Sequence, residues 1–221
     1  SGELVPELAE SWEGSNGAKT WNFKIRQGVE FHNGKSLTAE DVVDSLNHHL
    51  GEESKSAAKG QLGAVTSVKA DGKYGVVVEL SGGDADFPFI LTDYHLLICP
   101  SNGDGTIDWQ SGTGTGGFTL VEHEPGVRTL TKANPNYWKP NRRFFDEVET
   151  LQIADSAARE AALRTGELDA MNNVSAKTAD LLKRQPGIVV DATKGNKQIT
   201  LPMLTNVAPF DSNDVRTAMK Y

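Results

Sequence analysis

The chain has 221 residues, 38% of them hydrophobic and 24% charged, with a formal net charge of −8 at pH 7, an ordinary composition for a globular protein. The negative charge argues against nucleic acid as a partner, because a phosphate backbone favours a basic surface. No apolar run approaches the roughly 18 residues of a membrane span, and the first residues show no signal-peptide pattern.

The first 50 residues predict a short helical turn, a strand, a tight turn and a capped helix. Residues 20–26 alternate polar and apolar side chains, which is the period of a half-buried strand. Asn33-Gly34 is a turn dipeptide that favours positive φ. Thr38 stands three residues before Asp41, a spacing typical of a helix N-terminus. The apolar residues behind it recur at helical spacing and predict one buried face: Val42, Val43, Leu46 and Leu50.

The middle of the chain is rich in turn signals. Residues 51–60 predict a polar loop, and residues 63–70 and 74–80 predict two strands of a hairpin joined by Asp71-Gly72-Lys73. A short packed helix is expected to begin at Phe87. Residues 101–117 are rich in glycine and serine, and we interpret them as a crossover between two lobes.

The second half alternates strand and helix signals. Strands are predicted at 118–123, 128–132, 148–153, 168–171, 189–192 and 198–204. Helices are predicted after Asp155 or Ser156, ending at Gly166, and over 175–184 before Pro186. This alternation predicts βαβ units in a mixed α/β sheet.

Several segments, in a fixed order, resemble the family 5 solute-binding proteins of ABC importers, the peptide/nickel-binding group. They are Leu4-Val5-Pro6-x-Leu8-Ala9-Glu10-Ser11-Trp12, Phe23-x-Ile25-Arg26-x-Gly28-Val29-x-Phe31-His32-x-Gly34, Leu37-Thr38-Ala39-Glu40-Asp41-Val42-Val43-x-Ser45-Leu46, Gly114-Thr115-Gly116-x-Phe118-x-Leu120, Asn134-Pro135-Asn136-Tyr137-Trp138, Ala162-Leu163-x-x-Gly166-Glu167-Leu168-Asp169 and Pro209-Phe210-x-x-Asn213-Asp214-Val215-Arg216-x-Ala218-x-Lys220-Tyr221. Gly117 stands where proline is usual in the family.

The resemblance implies an α/β fold of the periplasmic-binding-protein type (type II, cluster C), with mixed-sheet lobes that are incomplete here. Family members are about twice as long, so we expect a fragment that holds at most half of a ligand cleft. We expect residues 1–110 to form a hairpin-rich inserted sub-lobe, 111–207 part of the first α/β lobe, and 208–221 the truncated start of the next.

By the same resemblance, the function is capture of a peptide or small polar solute by hinge closure, for delivery to an ABC permease in the inner membrane. We expect a periplasmic or cell-surface-anchored monomer with no cofactor, no bound metal, no nucleic-acid partner and no enzymatic activity. The sequence does not indicate which solute is bound.

Loop position near the crossover, rather than a family motif, indicates the ligand contacts. Trp109 lies in the glycine-rich stretch, where a flat aromatic ring can border a cleft. The full set of candidate ligand-binding residues is Thr92, Asp93, Tyr94, His95 and Trp109. Cys99 is the one cysteine, and its apolar neighbours predict a small core residue.

Two alternatives compete with the binding function. Gly112-x-Gly114-x-x-Gly117 matches a dinucleotide fingerprint in form, but the segment after it predicts a strand where that site needs a helix N-terminus; a flexible crossover is the better interpretation. A metal-dependent enzyme or a nickel-chelate binder would use His95 and His123, with Asp93. The five histidines show no i, i+4 or His-x-His pairing, which argues against a metal site.

Overall fold

The computed structural model describes residues 3–192 and 202–220. Contacts divide the chain into one compact unit spanning Leu4–Ile188 and another comprising Ser1–Glu3 and Val189–Tyr221. The strands of the first unit are β1 (Ala9–Ser15), β2 (Thr20–Ile25), β3 (Val65–Asp71), β4 (Gly75–Leu80), β5 (Phe118–Glu124), β6 (Arg128–Ala133) and β7 (Glu147–Leu151). Its helices are α1 (Ala39–Leu50), α2 (Phe87–Ile90), α3 (Ser156–Thr165) and α4 (Ala179–Leu182). In the second unit, α5 spans Asn213–Ala218.

The first sheet has four antiparallel strands in the order β1-β2-β4-β3. In β2 the side chains of Trp21, Phe23 and Ile25 are buried while those between them are more exposed, as the alternating pattern predicts. In the register of β2 on β4, Trp21 lies opposite Val78 and Phe23 opposite Val76. The sheet therefore presents one continuous apolar face.

Helix α1 packs on β3 and β4 and closes that apolar face. Its start is the predicted one: Thr38 and Asp41 form a capping box, and the Asp41 carboxylate accepts hydrogen bonds from the Thr38 N–H (2.9 Å) and hydroxyl (3.1 Å). Val42 and Leu46 are buried, and Val43 and Leu50 are partly buried against the same core. Burial of one such side chain contributes roughly 1.5–3 kcal/mol, so α1 and the sheet hold each other in place.

The second sheet has three antiparallel strands in the order β5-β6-β7. It is more exposed than the first, and one of its faces carries charged pairs. Arg128 on β6 binds Glu122 on β5 at 2.5 Å and Glu149 on β7 at 2.6 Å. Helix α3 follows this sheet and is capped as predicted, with Asp155 accepting from the Ala158 N–H (2.7 Å) and Gly166 in the left-handed region at φ +79°.

Three local predictions from the sequence are wrong. The turn expected before β2 is the edge strand β1, because Ala9–Ser15 pairs antiparallel with β2. Residues 168–171 form no strand, since the N–H groups of Glu167 and Leu168 both donate to the Ala162 carbonyl and so close α3 instead. The helix expected over 175–184 is reduced to α4, because Ser175 bonds locally to the Lys177 N–H and competes with the helix.

The predicted parallel βαβ units are also absent from the described residues, where every strand pair is antiparallel. Residues 189–192 form no strand. Most of the strand predicted at 198–204 lies outside the described residues. The predicted lobe boundaries at 110 and 207 stay predictions, although the two sheets share no strand.

Candidate functional site

A groove of about 580 Å³ lies in the first unit, beside the first sheet. That volume is in the range of small-molecule sites, roughly 300–1,000 Å³. Its walls come from β1 and β2, β4, α1, the extended segment after α2, and the glycine-rich crossover. We use "the groove" for the space lined by Glu7, Leu8, Ala9, Phe23, Ile25, His32, Val42, Leu46, Val76, Leu91, Leu96, Leu97, Ile98, Cys99, Trp109 and residues 112–116.

The groove is mainly apolar, and two large side chains at its edge are open to solvent. Trp109 is 60% exposed and Leu97 is 65% exposed. Aromatic and aliphatic groups left exposed beside a concave surface are typical of ligand contacts rather than of core packing. Glu7, His32 and the Cys99 thiol are the titratable groups among the lining residues.

A buried polar network fixes the segment that leads to Trp109. Asp41 is fully buried, and its carboxylate accepts from the Ser101 N–H at 2.8 Å and from the Lys35 ammonium at 2.5 Å. The Ser101 hydroxyl donates to Asp44, which is also buried.

Beyond Ser101 the chain turns back on itself. Ser101 forms a bridge with Ile107, and the Asp108 N–H donates to the Pro100 carbonyl at 2.9 Å. Trp109 is the next residue, so the network at the start of α1 helps to fix the backbone from which its side chain projects.

Cys99 lines the groove just before the crossover in the sequence and is held by α1. The Ser45 hydroxyl accepts from the Cys99 N–H (2.9 Å) and donates to the Cys99 carbonyl (3.3 Å). Burial, and next the negative charge of Asp108, raise the pKa of the Cys99 thiol, so it stays neutral. The residue is partly buried, close to the predicted core position.

The crossover is fixed by hydrogen bonds to four successive carbonyls, in place of the flexible connection that its composition suggests. Gly114 accepts from the His32 N–H (2.9 Å), and Thr115 from the Trp138 indole (3.1 Å). Gly116 accepts from the Asn134 side chain (3.0 Å), and Gly117 from the Asn134 N–H (2.8 Å). The strand β5 follows directly, so the helix required by a dinucleotide fingerprint is not there.

Of the five predicted ligand-binding residues, Trp109 alone is among the groove-lining residues. The other four form a turn between Leu91 and Leu96, both of which line the groove. Thr92 donates its hydroxyl to the Phe89 carbonyl at 2.7 Å. Tyr94 is 78% exposed and stacks on the His95 ring, with centroids 3.9 Å apart.

Asp93 is the centre of that turn. It accepts from the His95 N–H (2.9 Å), the His95 ring (2.7 Å) and Gln61 (3.0 Å). The bond from the His95 N–H, followed by those from the ring and from Gln61, lowers the pKa of the Asp93 carboxyl. These bonds satisfy the carboxylate locally.

The histidines do not assemble a metal centre in the part of the chain that the structure describes, where no group of three His, Cys, Asp or Glu side chains is placed to hold an ion. His49 is buried and bonds to the Ser56 hydroxyl at 2.6 Å. His123 lies on β5 and bonds to Thr129 at 2.9 Å. Each histidine named as a possible ligand therefore has a local partner.

A second cavity, of about 890 Å³, is lined by polar and aromatic groups, and four of its charged residues form ion pairs with one another. Arg26 lies 5.0 Å and Lys139 4.9 Å from the Trp138 ring. Lys139 also pairs with Glu7, and Arg26 with Glu10 at 3.7 Å. This cluster holds the N-terminal segment, β2 and the Trp138 loop together.

Sequence reasoning missed His32, Leu97 and Cys99 as groove residues. The neighbourhood of His32 was visible as the Phe31-His32-x-Gly34 element, but its partners lie more than 80 positions away. Leu97 and Cys99 belong to an apolar run that is indistinguishable from a core strand in the sequence.

The comparisons with known proteins agree with the resemblance. The sequence profile described as bacterial extracellular solute-binding proteins, family 5 Middle, matches residues 3–221. The Di/tripeptide-binding protein 1 of Pseudomonas aeruginosa (strain UCBPP-PA14) is 24% identical over 98% of this chain and 45% of its own length. The Nickel-binding periplasmic protein of Escherichia coli (strain K12) is 26% identical over 100% of this chain and 44% of its own length.

A solved structure gives the same result. The ABC transporter-associated periplasmic binding protein DppA from Helicobacter pylori, in complex with the peptide STSA, matches with a TM-score of 0.73 at 26% identity, over 86% of this chain and 42% of that one. The predicted fold class is thereby confirmed. This chain spans less than half the length of these relatives. In the described residues, no helix has the length and apolar character needed to cross a membrane. The chain belongs to the bacterial extracellular solute-binding proteins of family 5.

Proposed function

We propose that this chain is part of the solute-binding subunit of an ABC importer, and that it contributes one wall of the ligand site. The observation that carries the proposal is the groove, an apolar concavity with Trp109 and Leu97 exposed at its edge. The relatives support it, since the similar proteins are named for binding di- and tripeptides or nickel. The subunit would work in the periplasm or anchored at the cell surface and deliver its solute to a permease in the inner membrane.

The mechanism is non-covalent capture. An apolar part of the solute packs against Trp109 and Leu97, and removal of that surface from water supplies the driving force. A second wall then closes over the solute by a hinge motion, and the closed form is the one that the permease recognises. No cofactor and no turnover are required.

Peptides or similar small polar solutes are the preferred class of ligand. The groove lining is mostly apolar side chains and glycine-rich backbone, which suits a peptide with an apolar side chain. A nickel chelate is the alternative, because one relative is a nickel-binding protein. The described residues offer no three-residue metal group, so such a chelate would have to bring its own metal ligands.

Calorimetry with a solute panel tests the proposal on the full-length subunit, in which both walls of the ligand site are present. The panel contains tripeptides with apolar, acidic and basic central residues, and nickel with and without free histidine. Trp109→Ala should weaken binding of the apolar tripeptide about tenfold or more, as for truncation of an aromatic contact. Tyr94→Ala is the matched control, since Tyr94 is also an exposed aromatic residue but lies outside the groove lining.

Three outcomes of this experiment would change the proposed site or the proposed class of solute. Weakening by Tyr94→Ala but not by Trp109→Ala would move the ligand contacts to the turn at residues 92–95 and refute the groove as the site. Binding of nickel–histidine alone would favour the chelate. Absence of binding to every member of the panel would contradict the proposed solute class.

A further inference from the structure

The backbone N–H and the ring of His32 join two segments that lie far apart in the sequence, the turn after β2 and the glycine-rich crossover. Three hydrogen bonds make this connection. The His32 N–H donates to the Gly114 carbonyl (2.9 Å), the Gly114 N–H donates to His32 Nδ1 (3.2 Å), and His32 Nε2 lies 3.0 Å from the Gly116 carbonyl oxygen. His32 and Gly114 both line the groove.

These partners determine where the proton of the ring is. A backbone N–H only donates, so Nδ1 must present its lone pair to Gly114. A carbonyl oxygen only accepts, so Nε2 must carry the hydrogen that points to Gly116. The arrangement therefore requires the neutral imidazole with its proton on Nε2.

We infer that His32 is a positioning residue, which in this neutral form holds Gly114 and with it the crossover wall of the groove. When the ring takes up a second proton, Nδ1 becomes a donor that faces another donor, the Gly114 N–H, and that bond is lost. The bond from Nε2 to Gly116 survives. The inference rests on the proposed function for its effect on a bound solute, but its test needs no solute.

The remaining bonds to the crossover do not titrate. Thr115 is held by the Trp138 indole, and Gly116 and Gly117 by Asn134, which is 5% exposed. Acidification should therefore free the Gly114 N–H alone, while the bond from the His32 backbone N–H to the Gly114 carbonyl and the rest of the crossover stay in place.

No titratable side chain lies within residues 112–117, which are glycines and threonines; Asp104 and Asp108 lie earlier in the crossover. Four charged or titratable groups lie on the neighbouring segments, and two of them form ion pairs with other residues. They are Glu7, which pairs with Lys139; Lys35, which pairs with Asp41; Glu30 in the same turn; and the Cys99 thiol, which also lines the groove.

Nuclear magnetic resonance of the unliganded chain tests the inference. The imidazole 15N shifts report the tautomer, and amide hydrogen exchange reports the Gly114 N–H, expressed as protection relative to its intrinsic rate at each pH. We expect the Nε2–H tautomer at pH 8. Gly114 protection at pH 5 should be about fivefold or more lower than at pH 8, as expected for loss of one hydrogen bond.

Two substitutions separate the functions of the ring nitrogens. In His32→Asn the side-chain oxygen can replace Nδ1 as acceptor, so Gly114 should stay protected at both pH values. In His32→Gln the amide can replace Nε2 only, so Gly114 protection should be low at both. His123→Asn, at an exposed histidine on β5, is the control and should leave Gly114 unchanged.

The Nδ1–H tautomer, or Gly114 protection in the unsubstituted chain that does not change with pH, would overturn the inference. Both measurements are made on the unsubstituted chain, so they test the inference even if a variant fails to fold. Failure of the proposed function would appear separately, as absence of solute binding, with the tautomer and the exchange pattern unaffected.

Discussion

Asp41 shows how one buried side chain positions the groove. Its carboxylate caps α1 through Thr38 and at the same time holds Ser101 and Lys35. A buried carboxylate is stable only when such partners replace water. The spacing of Thr38 and Asp41 predicted the start of α1 from the sequence. Its second partner, Ser101, lies 60 positions away and no local pattern reveals it.

Replacement of the Asp41 carboxylate should lower the free energy of unfolding. Asp41→Asn puts an amide NH₂ among donors, so we expect a loss of about 3 kcal/mol in the free energy of unfolding, measured by urea denaturation. Glu40→Gln is the matched control, because it removes one charge from the same helical turn at an exposed position. Equal effects of the two substitutions would show that helix electrostatics, and not burial, is the cause.

His49 predicts a dependence of stability on pH. Burial, followed by the charges of His48 and His95, lowers its pKa from the ordinary 6.5. The unfolded chain therefore binds this proton at a higher pH than the folded one. The contribution of His49 to stability should be full above pH 6.5 and be lost as the pH falls below that value towards the lowered pKa.

Comparison of the unsubstituted chain with His49→Asn separates the effect of His49 on stability from that of the other titratable groups. Urea unfolding between pH 7.5 and pH 5 should show a smaller loss of stability for His49→Asn than for the unsubstituted chain. His123→Asn, at an exposed site, should follow the unsubstituted chain. Parallel pH profiles for the unsubstituted chain and His49→Asn would refute the assignment.

At the scale of elements, the sequence predicts the features that depend on nearby residues better than those that depend on distant partners. The β3–β4 hairpin and the caps of α1 and α3 depend on residues close in sequence, and all were predicted. Strand β1 was missed because its hydrogen bonds are made by β2 across a turn, and its own burial is slight. The crossover looked flexible because glycines fill it, while the groups that fix it lie on other elements.

The crossover also contacts β5, and this contact predicts a specific substitution effect. Gly112 has φ +70°, and a Cβ there would lie 2.6 Å from the Leu120 side chain. Gly105 has φ +83° with nothing within 4 Å of its Cβ position. Both alanine variants carry the cost of positive φ, about 1 kcal/mol, but only Gly112→Ala adds the clash.

We therefore expect Gly112→Ala to be more destabilising than Gly105→Ala in thermal unfolding, and the second substitution Leu120→Ala to reduce that difference. If the two glycine variants behave alike in either background, β5 does not pack on the crossover as the structure describes.

At the scale of the whole molecule, the groove draws its lining from segments that are distant in the sequence. Trp109 was predicted because an exposed aromatic residue in a glycine-rich loop has few core partners. Thr92, Asp93, Tyr94 and His95 were chosen for the same loop position, yet their polar groups mostly bond to one another or to near neighbours. Loop position thus predicted one groove-lining side chain, Trp109, and otherwise only the neighbourhood of the groove; that these residues contact a ligand stays a prediction.

The last prediction concerns how much of the chain the groove needs. Both sheets, α1 and every groove-lining residue lie within Leu4–Ile188, whereas the lobe boundary predicted from the sequence falls at 207. A chain ending at Ile188 should therefore unfold cooperatively in urea and keep the acrylamide quenching of its tryptophans, all of which it retains. The matched control is a chain ending at Thr165, which removes the closing turn of α3 at Gly166 and should lose helix stability. Loss of cooperative unfolding on removal of residues 189–221 would show instead that the unit needs those residues, in favour of the boundary predicted at 207.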